Sequence, residues 1–195
     1  MIKKKRYRAG QKSDVWKQAG DLMAKTMKMC TGILIGLTVL CAVVYGYTRM
    51  ELFCVSAITL GTAAYHFAMR LAFGTVMHLL LRNRVDYRAK WFQVSAAEKK
   101  LYKKLNVQKW KAKMPTYAPD TFDRKMHSWD EIAQAMCQAE IVHEVIIVLS
   151  FLPLLAAVPF GAFPVFLITS LLAAMYDLTF VIMQRYNRPR IIKFI

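Results

Sequence analysis

Four stretches of the chain carry almost no charge, and blocks dense in Lys and Arg separate them. Residues 29–47 are free of charged side chains and match the roughly 20 residues that cross a bilayer as a helix. Residues 52–81 are broken only by His66, Arg70 and His78. A third run extends from about 141 to 155, and a fourth from about 160 to 183 with Asp177 as its only charge. Pro153 and Pro159 fall between the last two, where helices are expected to end. The pattern predicts an all-α, polytopic integral membrane protein of about four transmembrane helices. A basic cytoplasmic segment lies between the second and third. The third run is short, so a hairpin with the fourth that crosses only part of the bilayer is the alternative.

The polar stretches divide the chain further. Residues 1–28 place Val15, Trp16, Ala19, Leu22, Met23 and Met27 at helical spacing among lysines, with Ser13 as a candidate cap. This reads as an amphipathic helix on the inner membrane face, or else as a solvated extension of the first span. Residues 29–81 form a two-helix hairpin, and 82–127 the basic cytoplasmic segment. In that segment 96–105 reads as a short basic helix with Leu101 and Leu105 on one face. "VQKWKAKMP" follows, with Trp110 among Lys109, Lys111 and Lys113. Residues 128–195 form a helix pair carrying the polar site and a basic tail, with Ser128 capping the first helix and Asp130 and Glu131 in its first turn.

Composition decides the class. The hydrophobic fraction is 56%, yet 28 Lys and Arg oppose 12 Asp and Glu. A basic balance is compatible with nucleic-acid binding, but segregation of charge from apolar runs decides for membrane and against nucleic acid. Lys and Arg concentrate in 1–28, 82–125 and 185–193, which places both termini on the cytoplasmic side. The first apolar run is too long for a signal-peptide core. The cysteines, Cys30, Cys41, Cys54 and Cys137, show no metal-ligand spacing and read as apolar filler.

Candidate chemistry sits where the third span begins. Glu140, His143 and Glu144 are spaced i, i+3, i+4 and project from one helix face. Ionised groups in hydrocarbon cost about 2.5–3.5 kcal/mol each on insertion scales, so intramembrane charges point to function. The fourth span ends in "IMQRYNRPR", which brings Gln184, Arg185, Asn187 and Arg188 to the depth of Glu140 and His143; Asp177 lies two turns deeper. Arg70, with His66 one turn away, joins them from the second span. The expectation is one buried polar cluster open to the cytoplasm. A histidine flanked by carboxylates acts as a general base when one carboxylate fixes its tautomer, and arginines grip anions. A bundle di-metal site needs a second Glu-x-x-His, which the chain lacks, but Glu140, His143 and His66 still admit an open zinc-type site, so a metal-dependent membrane enzyme stays open. Other readings remain open: a non-enzymatic protein that binds an anionic lipid, or ion pairs that only hold helices together.

"QRYNRPR" (184–190), with "AEIVH" (139–143) and "VQKWKAKMP" (107–115) before it, resembles the glycosyl-4,4′-diaponeurosporenoate acyltransferases. The three blocks agree in order and spacing, and the resemblance covers roughly 82–195. These are small bacterial membrane proteins that attach a fatty acyl chain to the sugar of a glycosylated C30 carotenoid acid. The resemblance therefore implies a multi-pass enzyme of the bacterial cell membrane with a membrane glycolipid acceptor. It implies no resident cofactor, and an acyl thioester is the donor expected chemically. By position it carries over Glu140, His143, Gln184, Arg185, Tyr186, Asn187 and Arg188, with Trp110 and Lys111 in the soluble segment. His143 oriented by Glu140 becomes the base, Arg185 and Arg188 with Lys109 and Lys111 hold the donor's anionic part, and Asn187 or Gln184 faces the oxyanion. The chain departs from the family pattern at Gln138, where the family places Arg, and at Glu144, where it tends to have an aromatic.

Overall fold

A computed structural model describes the backbone of residues 2–116 and 118–195, and side chains at Gln18, 20–116 and 118–195. Seven α-helices follow in order: α1 Ile2–Thr48, α2 Glu51–Leu81, α3 Ala96–Lys104, α4 Val107–Trp110, α5 Trp129–Leu149, α6 Ala157–Phe160 and α7 Phe163–Ile191. Short 3-10 turns sit at Lys90–Phe92, Lys111–Lys113, Pro119–Phe122, Leu152–Ala156 and Ile192–Phe194. No strand occurs among the described residues. Among the described residues four helical stretches are long and apolar enough to cross a membrane: Gly20–Thr48, Glu51–Leu81, Trp129–Phe160 and Phe163–Phe194.

The N-terminal segment continues into the first span as one helix, the second of the two readings of its pattern. α1 runs unbroken through Ser13, so that residue lies inside a helix rather than at its cap. The side chains of Val15, Trp16 and Ala19 lie outside the described residues, while Leu22 is exposed. No proline interrupts Ile2–Thr48, and neighbouring helical residues propagate more readily than a new helix nucleates. The third span starts where the Ser128 cap predicts: α5 begins at Trp129, and Ser128 Oγ accepts from Glu131 N (3.2 Å) while Glu131 Oε2 accepts from Ser128 N (2.7 Å). That reciprocal capping box satisfies two backbone donors. The α-helix ends at Leu149, before Pro153, and the crossing continues through 3-10 turn and α6 to Gly161 at φ 66°.

The chain forms two compact units. The membrane-spanning unit comprises Met27–Arg82 and Glu140–Val181; the basic unit comprises Met1–Thr26, Asn83–Ala139 and Ile182–Ile195. All but four of the 28 Lys and Arg, the exceptions being Lys28, Arg49, Arg70 and Arg82, belong to the basic unit.

In the membrane-spanning unit the buried residues alternate between apolar (Ala64, Ile146, Phe166, Ala174, Phe180) and polar (Thr62, His66, Glu140, Ser150, Ser170, Asp177). Between helices in lipid, small residues permit close approach and polar side chains supply cohesion. Gly61 of α2 illustrates the first: a Cβ there would stand 3.2 Å from Thr38 of α1. Tyr65 Oη illustrates the second by donating to Leu149 O at 2.8 Å. The basic unit has its own apolar core, including Tyr87, Phe92, Tyr102, Val107, Ile132, Met136 and Cys137. In α3 the buried face carries Tyr102, whereas Leu101 and Leu105 are exposed.

Candidate functional site

Each unit holds a polar cluster. In the membrane-spanning unit, α2 supplies Arg70, α5 supplies His143 and α7 supplies Asp177. Asp177 is 1% exposed, a burial that an isolated carboxylate does not tolerate. Arg70 Nη2 donates to its Oδ2, and His143 Nδ1 lies 2.9 Å from its Oδ1. The same guanidinium donates through Nη1 to His66 O (2.7 Å) and through Nη2 to Ala173 O (3.1 Å). The pairing fixes the chemistry. Asp177 held by an arginine is ionised and only accepts, so His143 Nδ1 carries the proton and donates it. In the neutral imidazole Nε2 then keeps its lone pair. The Phe180 ring stacks on the imidazole, with centroids 4.6 Å apart and planes 7° from parallel, and holds the ring orientation.

The carboxylate expected on His143 was Glu140; the bond the structure holds is to Asp177. Side chains at i and i+3 tilt alike from one helix, whereas a residue on a facing helix meets the imidazole head on. Glu140 is fully buried in α5, and Glu144 is half-buried. His66 is buried with its edge toward Tyr65 (5.4 Å), and neither ring nitrogen has a hydrogen-bond partner among the described residues. Its backbone carbonyl, not its imidazole, meets Arg70. Among the described residues no set of three or more His, Cys, Asp and Glu is grouped to hold a metal, Glu140, His143 and His66 included.

In the basic unit Arg185 and Arg188, the two expected to hold the donor's anionic part, bond to groups of the protein itself. Arg185 Nε donates to Glu98 Oε1 (2.7 Å), while Nη1 and Nη2 donate to Trp91 O (3.0 Å) and Gln93 O (3.2 Å). Arg188 is fully buried, donates through Nη2 to Phe92 O (2.5 Å) and lies 4.9 Å from the centroid of the Phe92 ring. A guanidinium fork suits such convergent acceptors. Together the two arginines fasten residues 91–98 to the end of α7. Tyr102 Oη donates to the same Glu98 oxygen at 3.0 Å. Burial alone would raise the Glu98 carboxyl, but hydrogen bonds from Arg185, Ser95 and Tyr102 outweigh it and bring its pKa to about 2. Burial and the Glu98 carboxylate push Tyr102 up to about 12.

Gln184 is buried, and Asn187 Oδ1 accepts from Lys111 Nζ at 2.6 Å. Tyr186 packs edge-on to Tyr102 (6.4 Å) and faces Lys111. Trp110 Nε1 donates to Leu105 O (3.1 Å), closing the α3–α4 turn. Burial, and next the charge of Arg190, lower the Lys111 ammonium from its ordinary value.

With this geometry in hand, the chain compares with known families as follows. The sequence model described as glycosyl-4,4′-diaponeurosporenoate acyltransferase matches residues 88–195, more than half of the chain. The chain belongs to this family. It is an acyltransferase of carotenoid biosynthesis and a membrane protein. Comparison with curated proteins and with solved structures finds no match. The matched region takes in His143, Asp177, the fastening arginines and Lys111, while Arg70 and His66 precede it. Asp177 was marked in the sequence as a lone carboxylate inside an apolar helix, but it was given no role. Glu98 escaped altogether, since it sits in an ordinary capping pattern far from α7 in sequence.

Proposed function

We propose that this acyltransferase esterifies a sugar hydroxyl of a glycosylated carotenoid acid, or a similar glycolipid, at the cytoplasmic face of the membrane. The observation that carries the reading is the Arg70–Asp177–His143 relay. The donor is an acyl thioester, and the reaction uses no resident cofactor. His143 Nε2 takes the proton of the sugar hydroxyl as its oxygen attacks the acyl carbonyl carbon. The C–S bond breaks as the new C–O ester bond forms, and the imidazolium returns the proton to the departing thiolate. Asp177 stabilises the transient imidazolium, a role that general-base catalysis requires. Arg70 keeps Asp177 ionised. The concentration of Lys and Arg outside the spans supports both termini facing the cytoplasm, where thioester donors are made.

The test is mass spectrometry of total lipids from cells that make candidate glycolipids, with the protein or its His143→Ala variant at equal membrane levels. A glycolipid heavier by one acyl chain and present only with His143 supports the reading. The same product from both proteins rules out His143 as the base.

A further inference from the structure

With Arg185 and Arg188 committed to Glu98 and to backbone carbonyls, the family heptapeptide leaves another pair of cations in play. Lys111 Nζ lies 5.0 Å from the centroid of the Tyr186 ring, and the Arg190 guanidinium lies 3.7 Å from the same centroid. Two positive charges thus converge on one aromatic ring. Arg190 Nη1 donates to Tyr186 O, and Lys111 Nζ to Asn187 Oδ1, so neutral groups hold both cations in place. Among the described residues neither cation pairs with a carboxylate. The arrangement carries a standing cost, because the exposed Arg190 guanidinium repels the half-buried Lys111 ammonium. An anion that bridges them would remove that cost, and the Asn187 carboxamide, accepting through its oxygen, keeps an N–H₂ able to donate to the same anion.

We propose that Lys111, Tyr186, Asn187 and Arg190 form a phosphate-binding site that anchors the acyl donor. The donor count favours a phosphate over a carboxylate: two cations and an amide N–H₂ offer more donors than a planar two-oxygen group uses, and an oxyanion with three peripheral oxygens can take them. Cation–π contact fixes the cations without neutralising them, so their charge stays available to a ligand. The phosphate has two chemical sources. One is a soluble acyl thioester such as an acyl-coenzyme A; the other is the headgroup of a membrane phospholipid. The proposal rests on the acyl-transfer reading for its role, but binding is measurable without turnover.

The experiment uses the full chain in lipid nanodiscs. Radiolabelled coenzyme A is titrated against discs of phosphatidylcholine alone, and native mass spectrometry counts the lipids retained from discs containing phosphatidylglycerol. Saturable coenzyme A binding, weakened at least tenfold in Lys111→Gln and in Arg190→Gln but within about threefold in Arg190→Lys, supports the site with a soluble donor. Retention of phosphatidylglycerol by the wild type, lost in the same variants, supports it with a lipid headgroup. Neither ligand bound, or both bound equally by wild type and variants, overturns it. His143→Ala separates the two proposals: it abolishes acyl transfer and leaves either form of binding intact.

Discussion

Asp177 is the residue on which the membrane cluster depends. It is buried, faces one cation and one imidazole, and occupies the position where a neutral replacement changes protonation rather than shape. Asp177→Asn is expected to lower acyl transfer by about 10²–10⁴-fold, the range by which a positioned acid–base group accelerates proton transfer. The amide no longer fixes the Nδ1–H tautomer of His143. Turnover measured against folded protein checks this, and a loss under threefold removes Asp177 from the mechanism. Arg70→Met should act differently. It strands a buried carboxylate, a change worth about 3–5 kcal/mol when one partner of a buried pair is removed, so the expected result is lost thermal stability in detergent. His143 was legible in the sequence because a histidine among carboxylates stands out in an apolar run. Its actual partner was not, because helical spacing reports which residues share a face and not which facing helix meets them.

Among the elements, α3 and the end of α7 are joined by the Arg185–Glu98–Tyr102 contact and by arginine bonds to the 91–93 carbonyls. The sign of its pH dependence follows from Glu98. Its pKa falls from an ordinary 4.5 to about 2 on folding, so the unfolded chain binds more protons between those values. The stabilisation is fully present above about pH 4.5 and is lost as the pH falls toward 2. Tyr102, raised from 10.0 to about 12, contributes below pH 10 and loses its contribution as the pH rises toward 12. Limited proteolysis of the 82–127 segment in detergent should therefore accelerate at both extremes, and Glu98→Gln should flatten the acid limb. An acid limb unchanged in Glu98→Gln counts against the contact. Ser95→Ala removes the α3 cap, in which Ser95 Oγ accepts from Glu98 N at 3.2 Å, and should cost about 1 kcal/mol. The sequence pattern marked α3, α5 and the four spans, since capping residues, prolines and apolar runs are local signals. The apolar run alone begins only near residue 141, so the start of α5 is read from its Ser128 cap and not from hydrophobicity.

At the scale of the whole molecule, charge segregation gives a topology that can be tested. With both termini cytoplasmic, Lys193→Cys in a background lacking the native cysteines should react with a membrane-impermeant maleimide only after the cells are permeabilised. Labelling of intact cells reverses the orientation. Within the membrane-spanning unit, Gly61→Val should loosen the α1–α2 contact, since even a Cβ stands 3.2 Å from Thr38. A lower melting temperature in detergent checks it, and an unchanged one shows that Thr38 yields.

The sequence by itself determined the helical class, the four apolar crossings, the family and the residue types able to catalyse acyl transfer. Each of these is written in local composition, in spacing along one helix or in a contiguous motif. Tertiary structure decided the partners. It put Asp177 rather than Glu140 on His143, turned Arg185 and Arg188 into fastenings for residues 91–98, and left Lys111 and Arg190 together over Tyr186. A side chain's role is set by what faces it across the packing, and residues 76 or 87 positions apart in the chain meet only when the helices do.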